Sequence, residues 1–463
     1  MTPLLGFTPD QPKTTPGIIV TCDNLIPHDV GMRVCPSQVS IADALAAACV
    51  GAANLDGLIG GARFIAGTST KLYELSGTTW VDKSRGGNYS GVLRWSIAQF
   101  GGTVVASNIS TTIQTSTGVG VPFADQATAP KAAIIETVLS SGGGFVFAFA
   151  TDDGTYGNSS DRWWCCAAND VTSWTPSIST QAATGRLLGG GGAINAAKLF
   201  GSDRIVAYKD KALFFGSYAG GDSVWNWQEI PGYGCVGIEA VANLGTAHFV
   251  VGKDTIYIFD GVRPINVADG VVRQWFFDNS SETFRFRTQV RYSKKTDLVW
   301  IFFPGTFGSG VCDQALVYHL GTKQWGAVLS NIGNEASFNY DSADTQIGVF
   351  NADHNPGILD GDGGSALFGI QYIGDDTVVT RATTATLQYK VGPLAASVTA
   401  YSLMSADETV AGGQTVSASD IPSGHLNKFT FRSTGRWHYM VFTVNNNCHI
   451  THFDSPLLPV GVR

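Results

Sequence analysis

Arg204-Ile205-Val206-Ala207-Tyr208 is followed by the polar turn Lys209-Asp210-Lys211, by Leu213-Phe214-Phe215 and then by Trp225. An apolar run, a tight turn and a second apolar run read as two strands of a hairpin. The same phrase stands at Arg63–Gly67, Thr68-Ser69-Thr70, Lys71–Leu75 and Trp80, and again at His248–Val251, Gly252-Lys253-Asp254 and Ile256–Phe259. Second-strand anchors fall at Tyr73, Ile113, Trp163, Phe214, Ile258, Val317 and Leu367, with successive spacings of 40, 50, 51, 44, 59 and 50 residues. A period of ~40–50 residues is that of radially repeated four-stranded sheets, the blades of a β-propeller. The expectation is therefore an all-β chain, with a six- or seven-bladed β-propeller over residues 56–374. An extended N-terminal arm and short helix precede it at 1–55, and a C-terminal β-sandwich-like domain follows at 375–463. The first and last copies of the phrase can share one blade, since ring closure often joins strands from both ends.

The bulk properties suit many strands and turns. Hydrophobic residues are 44% of the 463, enough for a sizeable core, and aromatics are 11%. Charged residues are only 14%, against roughly 25% in a typical globular chain. Glycine accounts for 56 positions, and Asp153-Gly154, Asp260-Gly261 and Asp362-Gly363 are pairs suited to tight hairpin turns. The formal net charge is −8, and no Lys/Arg run offers the cations that grip phosphates. No secretory signal opens the sequence, and no stretch approaches the ~18–20 apolar residues of a membrane span.

Outside the repeat, Pro9, Pro12 and Pro16-Gly17 punctuate an extended arm, either a strap over its own domain or a reach to a neighbouring subunit. Ser40–Val50 is the one good helix candidate, with Ser40 as cap, Asp43 three residues on and the run Ala44–Ala48. In Phe284–Tyr292 apolar residues alternate with Arg285, Arg287 and Arg291, which predicts a strand presenting three arginines on one face. That face reads as solvated or edge-protecting, then as a subunit contact, then as a DNA reader. After residue 375 the period is lost, and short alternating runs such as Thr386–Lys390 and Lys428–Arg432 predict a separate small β-unit.

Motifs that carry catalytic chemistry are sparse. Nucleophile elbow, zinc-protease helix, P-loop and dinucleotide fingerprint are all missing, and Gly189–Gly192 lacks the Lys-Ser/Thr of a phosphate cradle. Cys22, Cys35, Cys49, Cys165, Cys166, Cys235, Cys312 and Cys448 show no metal-finger spacing and read as reduced, buried thiols. His449 and His452 point to opposite faces of a strand, which disfavours a shared metal. Asp360-Gly361-Asp362 lacks the further carboxylates of a calcium loop. Asp152-Asp153 is the most obvious acidic pair, but sequence neighbours diverge on a strand. The chain is expected to be no enzyme, with no catalytic, cofactor-binding or metal residues and no cofactor.

Several phrases resemble a known family. Thr15-Pro16-Gly17 with Cys22-Asp23-Asn24-Leu25-Ile26-Pro27 resembles the opening of tail nozzle (tail tubular) β-propeller proteins of short-tailed bacteriophages. Arg162–Trp174, Phe249–Val267, Leu298–Pro304, Ala315–Leu320 and Trp325 resemble blade phrases found there. The resemblance implies a structural virion protein, made in the bacterial host cytoplasm and located in the tail. It implies a homo-oligomeric ring of six copies below portal and adaptor, contacting the adaptor and fibre or spike proteins. Genomic DNA would pass through without specific binding. Six copies at −8 each carry a formal −48, which lets DNA slide rather than stick. The alternative is a carbohydrate-binding or carbohydrate-cleaving propeller that recognises a host receptor or cell wall.

Overall fold

The computed structural model describes residues 1–55, 61–330, 332–340, 345–418 and 426–460. Its elements are almost all strands; the helical elements among the described residues are Arg273–Asn279 and the 3-10 turn Arg285–Arg287. No helix among them is long and apolar enough to cross a membrane.

The recurring phrase corresponds to three consecutive strands. In the meander Ala196–Phe200, Arg204–Tyr208, Ala212–Tyr218 and Trp225–Pro231, each strand pairs antiparallel with the next, and the tryptophan opens the fourth. Trp80 and Trp325 likewise lie on the fourth strands Thr79–Asp82 and Trp325–Val328. The turns follow from local chemistry. Asp260 Oδ1 accepts the N–H groups of Val262 and Arg263, both at 2.8 Å, while Gly261 takes φ +88° at no steric cost.

Together the sheets make a β-propeller. The first strands Ala52–Leu55, Ser96–Phe100, Lys131–Ser140, Ala196–Phe200, Val241–Asn243, Gln289–Ser293 and Ala336–Tyr340 each lie beside the next, and the last lies beside the first. Aromatic side chains fill the wedges between sheets: Trp225 meets Phe145 and Phe147 edge-on, with centroids 5.6 and 4.8 Å apart. Each such pair adds roughly 0.5–1.5 kcal/mol beyond area burial.

Four sheets stand alone as four-stranded blades, rather than the six or seven expected. They are those spanning Ala52–Asp82, Ala196–Pro231 and Val241–Asn266, and the one in which Gln38–Ser40 adds to Pro356–Leu359. The other meanders are fused into larger sheets. Those beginning at Ser96 and Lys131 join through the single pair Thr112↔Lys131. The one over Gln289–Val328 continues into Leu25–Pro27 and the C-terminal strands.

Three further expectations need correction. Residues 41–51 form bends and no helix. Their backbone groups pair with neighbouring sheets instead: Leu45 N–H donates to His354 O at 3.0 Å and Asp43 N–H to Thr78 O at 2.8 Å. With Leu45 and Cys49 buried, tertiary pairing overrides the alanine propensity. The three arginines do not share a strand face, because Arg285–Arg287 is a 3-10 turn and the strand begins at Gln289. Arg285 donates to Phe277 O and Ser280 O, Arg287 to Gly310 O, and Arg291 turns inward. Leu367 lies in no blade: Ser365–Ile370 pairs with Ile18–Asp23 on one side and Trp437–Asn445 on the other.

The N-terminal arm is thus woven into its own chain. Thr2–Pro3 and Met32–Val34 pair with His449–Asp454, and Ile18–Asp23 sits in the seven-stranded sheet. Gly31, with φ +82°, lies where a Cβ would come within 2.2 Å of Ile450 O, so this crossing requires glycine. The boundary near residue 56 and the last residues, 461–463, lie outside the described segments.

Candidate functional site at the propeller hub

Three segments remote in sequence converge where the first strands meet. Arg94 lies on the connection before Ser96–Phe100, held by its neighbour Trp95, which is 2% exposed and donates from Nε1 to Thr68 O at 2.9 Å. Glu239 lies on the connection before Val241–Asn243, and its carbonyl accepts Val290 N–H at 2.7 Å. Arg291 comes from the strand Gln289–Ser293.

Arg94 Nε donates to Glu239 Oε1 at 2.6 Å, and Arg291 Nη2 donates to Glu239 Oε2. The side chains are only 15–20% exposed. Burial alone would push the Glu239 carboxyl up, but the Arg291 and Arg94 guanidiniums outweigh it and hold the group down at about 2. The arginines also bind backbone: Arg94 Nη1 donates to Glu335 O at 3.4 Å and Arg291 Nη2 to Ser337 O at 3.0 Å. Gln289 extends the network, accepting Ser337 N–H at 2.6 Å and donating to Glu335 O at 3.2 Å. The Glu335 carboxylate lies 2.7 Å from His354 Nδ1 through Oε1 and accepts Cys49 N–H at 2.9 Å through Oε2. With both carboxylates engaged, the hub cross-links segments and is poorly placed to shuttle protons.

The residues singled out by sequence lie elsewhere. Asp152 and Asp153 line one surface cleft with Lys131 and Trp164. His449 packs against His28 with the rings tilted by 51° and centroids 4.3 Å apart, and its Nε2 lies within hydrogen-bond reach of Val30 O, while His452 pairs in the ladder with Pro3 and Gln388. Asp362 accepts from Asn447 Nδ2 at 2.8 Å, and Asp360 lies 3.5 Å from Lys295. No cluster of three His, Cys, Asp or Glu side chains suited to a metal occurs among the described residues. Gly189–Gly192 all take positive φ, and Lys209 Nζ donates to Leu187 O and Gly189 O, so a buried turn lysine occupies this loop. All eight cysteines are free and buried, and burial raises each thiol, that of Cys49 to about 12, well away from reactive thiolate.

Of Arg94, Glu239, Arg291, Glu335 and His354, only Arg291 stands in a sequence pattern; the other four do not. None of the four lies in a motif, and three sit on connections between sheets.

No family model matches the sequence, and no curated protein does. Solved structures similar to it include the computationally designed Ika8 protein, with a TM-score of 0.39 and 13% identity over 70% of this chain and 99% of that one. BBS1N, solved in complex with ARL6DN, aligns with a TM-score of 0.44 and 11% identity over 71% and 97% of the two chains. The WD40 β-propeller domain of Doa1 aligns at 0.42 and 7% identity over 70% and 97%. At these identities the likeness concerns the fold alone.

Proposed function

We propose that this chain is a structural virion protein, a tail nozzle that assembles into a ring and conducts the genome without chemistry. The observation that carries the reading is the hub. Its central carboxylate is fixed as an anion with both oxygens engaged, so remote segments are cross-linked where the first strands meet. A glycan-cleaving propeller needs a protonated acid opposite a free carboxylate, and Glu239 is poorly suited to either part. In this reading the conduit for DNA lies between copies, bounded by their outer surfaces. The acidic balance of −8 per copy favours such a passage over a gripping one.

Seven first strands stand side by side in the ring, the meander of the last one closed by Gln38–Ser40. This supports a seven-bladed reading in which the blades beginning at Ser96 and Lys131 are fused into one sheet and the one beginning at Gln289 continues into the C-terminal strands. Copies of this unit would form the homo-oligomeric ring, of six in the family it resembles, seated against adaptor and fibre or spike proteins in the tail. Negative-stain images of particles and sedimentation of the purified chain test this directly. Rings of several copies are expected; a monomer at high concentration together with ringless particles would sink the proposal.

A further inference from the structure

We propose that the cleft at Asp152, Asp153 and Trp164 is a binding site for a neutral sugar. This rests on the cleft alone and stands apart from the virion reading. The cleft opens between the meanders that begin at Ser96 and Lys131, where only Thr112↔Lys131 pairs them. It measures about 490 Å³ and is lined by Thr112, Thr128, Lys131, Asp152, Asp153 and Trp164 among others, a volume within the ~300–1,000 Å³ of small-molecule sites.

Its polar groups are incompletely used. Trp164 is 7% exposed, and its indole N–H has no partner. Asp153 Oδ1 accepts the N–H groups of Thr155 and Tyr156, both at 2.8 Å, while its Oδ2 has no partner. Thr151 Oγ1, on the same strand and fully buried, is also unpartnered. Arg162 Nε in the same hairpin is unpartnered too. Buried polar groups in folded chains are nearly always satisfied, so four orphans in one hairpin call for a ligand or bound water. The backbone is distorted beside them. The ladder shifts register between Phe149 and Thr151, and Ala150 takes φ +51°, a strained value for alanine. Bulges of this kind re-aim side chains beside binding sites. Tyr156 lies next to the lining residue Thr155, its ring 6.1 Å from Trp164 and covered on one face by Arg162.

The donor and acceptor pattern selects the ligand class. The indole offers a donor and needs an acceptor, whereas the carboxylates need donors. A cation would serve the carboxylates and leave the indole orphaned. An anion would serve the indole and meet two carboxylates, only one of them paired, at 3.4 Å with Lys131. A hydroxyl does both, and a pyranose also lays C–H groups on an aromatic face.

The test is saturation-transfer NMR and titration of the full chain with glucose, galactose, mannose and N-acetylglucosamine, with arginine and inorganic phosphate as controls. At least one sugar is expected to bind with millimolar affinity. Trp164→Phe and Asp153→Asn should each weaken it about tenfold, the size of one hydrogen bond to a buried partner. Thr155→Trp, at an exposed turn that leaves the core intact, should abolish it by filling the mouth, and keeps the test valid if Trp164→Phe misfolds. Absence of binding by all four sugars, tighter binding of arginine or phosphate, or binding indifferent to Thr155→Trp would overturn the proposal.

Discussion

The sheet spanning Ala196–Pro231 and the C-terminal unit are both antiparallel β-structure, yet they are built in opposite ways. In the first, every strand pairs with its neighbour in sequence across a short turn. In the second, Ile18–Asp23 pairs with Ser365–Ile370, and Thr21 and Tyr439 share a 2.8 Å hydrogen bond across 418 residues. Closing a loop of that length in an unstructured chain costs roughly 4 kcal/mol more than closing a three-residue turn. Folded blades shorten that loop by holding its ends near each other. The blades are therefore self-sufficient in pairing, and the seam depends on them.

The largest test of this contrast is deletion of residues 1–35. It should expose residues 365–459 to proteolysis while the 196–266 sheets stay protected; equal protection of both would break the distinction. Next comes Glu239→Ala, which leaves two guanidiniums without their anion at a site that is itself non-local. A loss of about 3 kcal/mol in denaturant unfolding is expected, with Glu239→Gln losing less. Because the folded carboxyl titrates at about 2, below its unfolded value, its contribution is present above pH ~4.5 and lost as pH falls towards 2.

A smaller effect is expected at the seam on acidification. His28 packs on His449 with Arg33, Asp29 and Lys390 nearby, and burial followed by the charge of His449 lowers it to about 4. The unfolded chain takes up this proton first, so stability is full above pH ~6.5 and falls as pH drops towards 4. The loss is about 1–2 kcal/mol, since the ring is only part-buried and solvent screens part of the shift. The double variant His28→Gln/His449→Gln should flatten the profile. The smallest effect is that of Tyr439→Phe, about 0.5–1 kcal/mol in thermal unfolding, from loss of the Thr21 contact.

The same contrast explains what could be read from the sequence. Arg204–Trp225 was legible because its strands, turn and tryptophan belong to one local unit with one period. The seam was not, because alternation in Ile18–Asp23 does not say which of forty-odd strands lies alongside it. Ser40–Val50 misleads for a related reason: its alanines favour helix, and remote backbone groups at Thr78 and His354 claim the residues. Phe284–Tyr292 has a clean period of two, yet Thr288 Oγ1 and N–H both bond Arg285 O, which ends a 3-10 turn before the strand begins. At the hub, only Arg291 stood in a visible pattern. Glu239 and Arg94 acquire their meaning from a meeting that no local window contains.

Closure of the last sheet by Gln38–Ser40 has a consequence for synthesis. This strand leaves the ribosome more than three hundred residues ahead of its partner Pro356–Leu359. At ~5–20 residues per second it waits roughly 15–60 s with its edges unpaired. During that interval the nascent chain is an open arc with a free strand at its leading end, vulnerable to pairing with another nascent copy. Cells that make this protein in quantity have to keep neighbouring arcs apart until each has closed on itself.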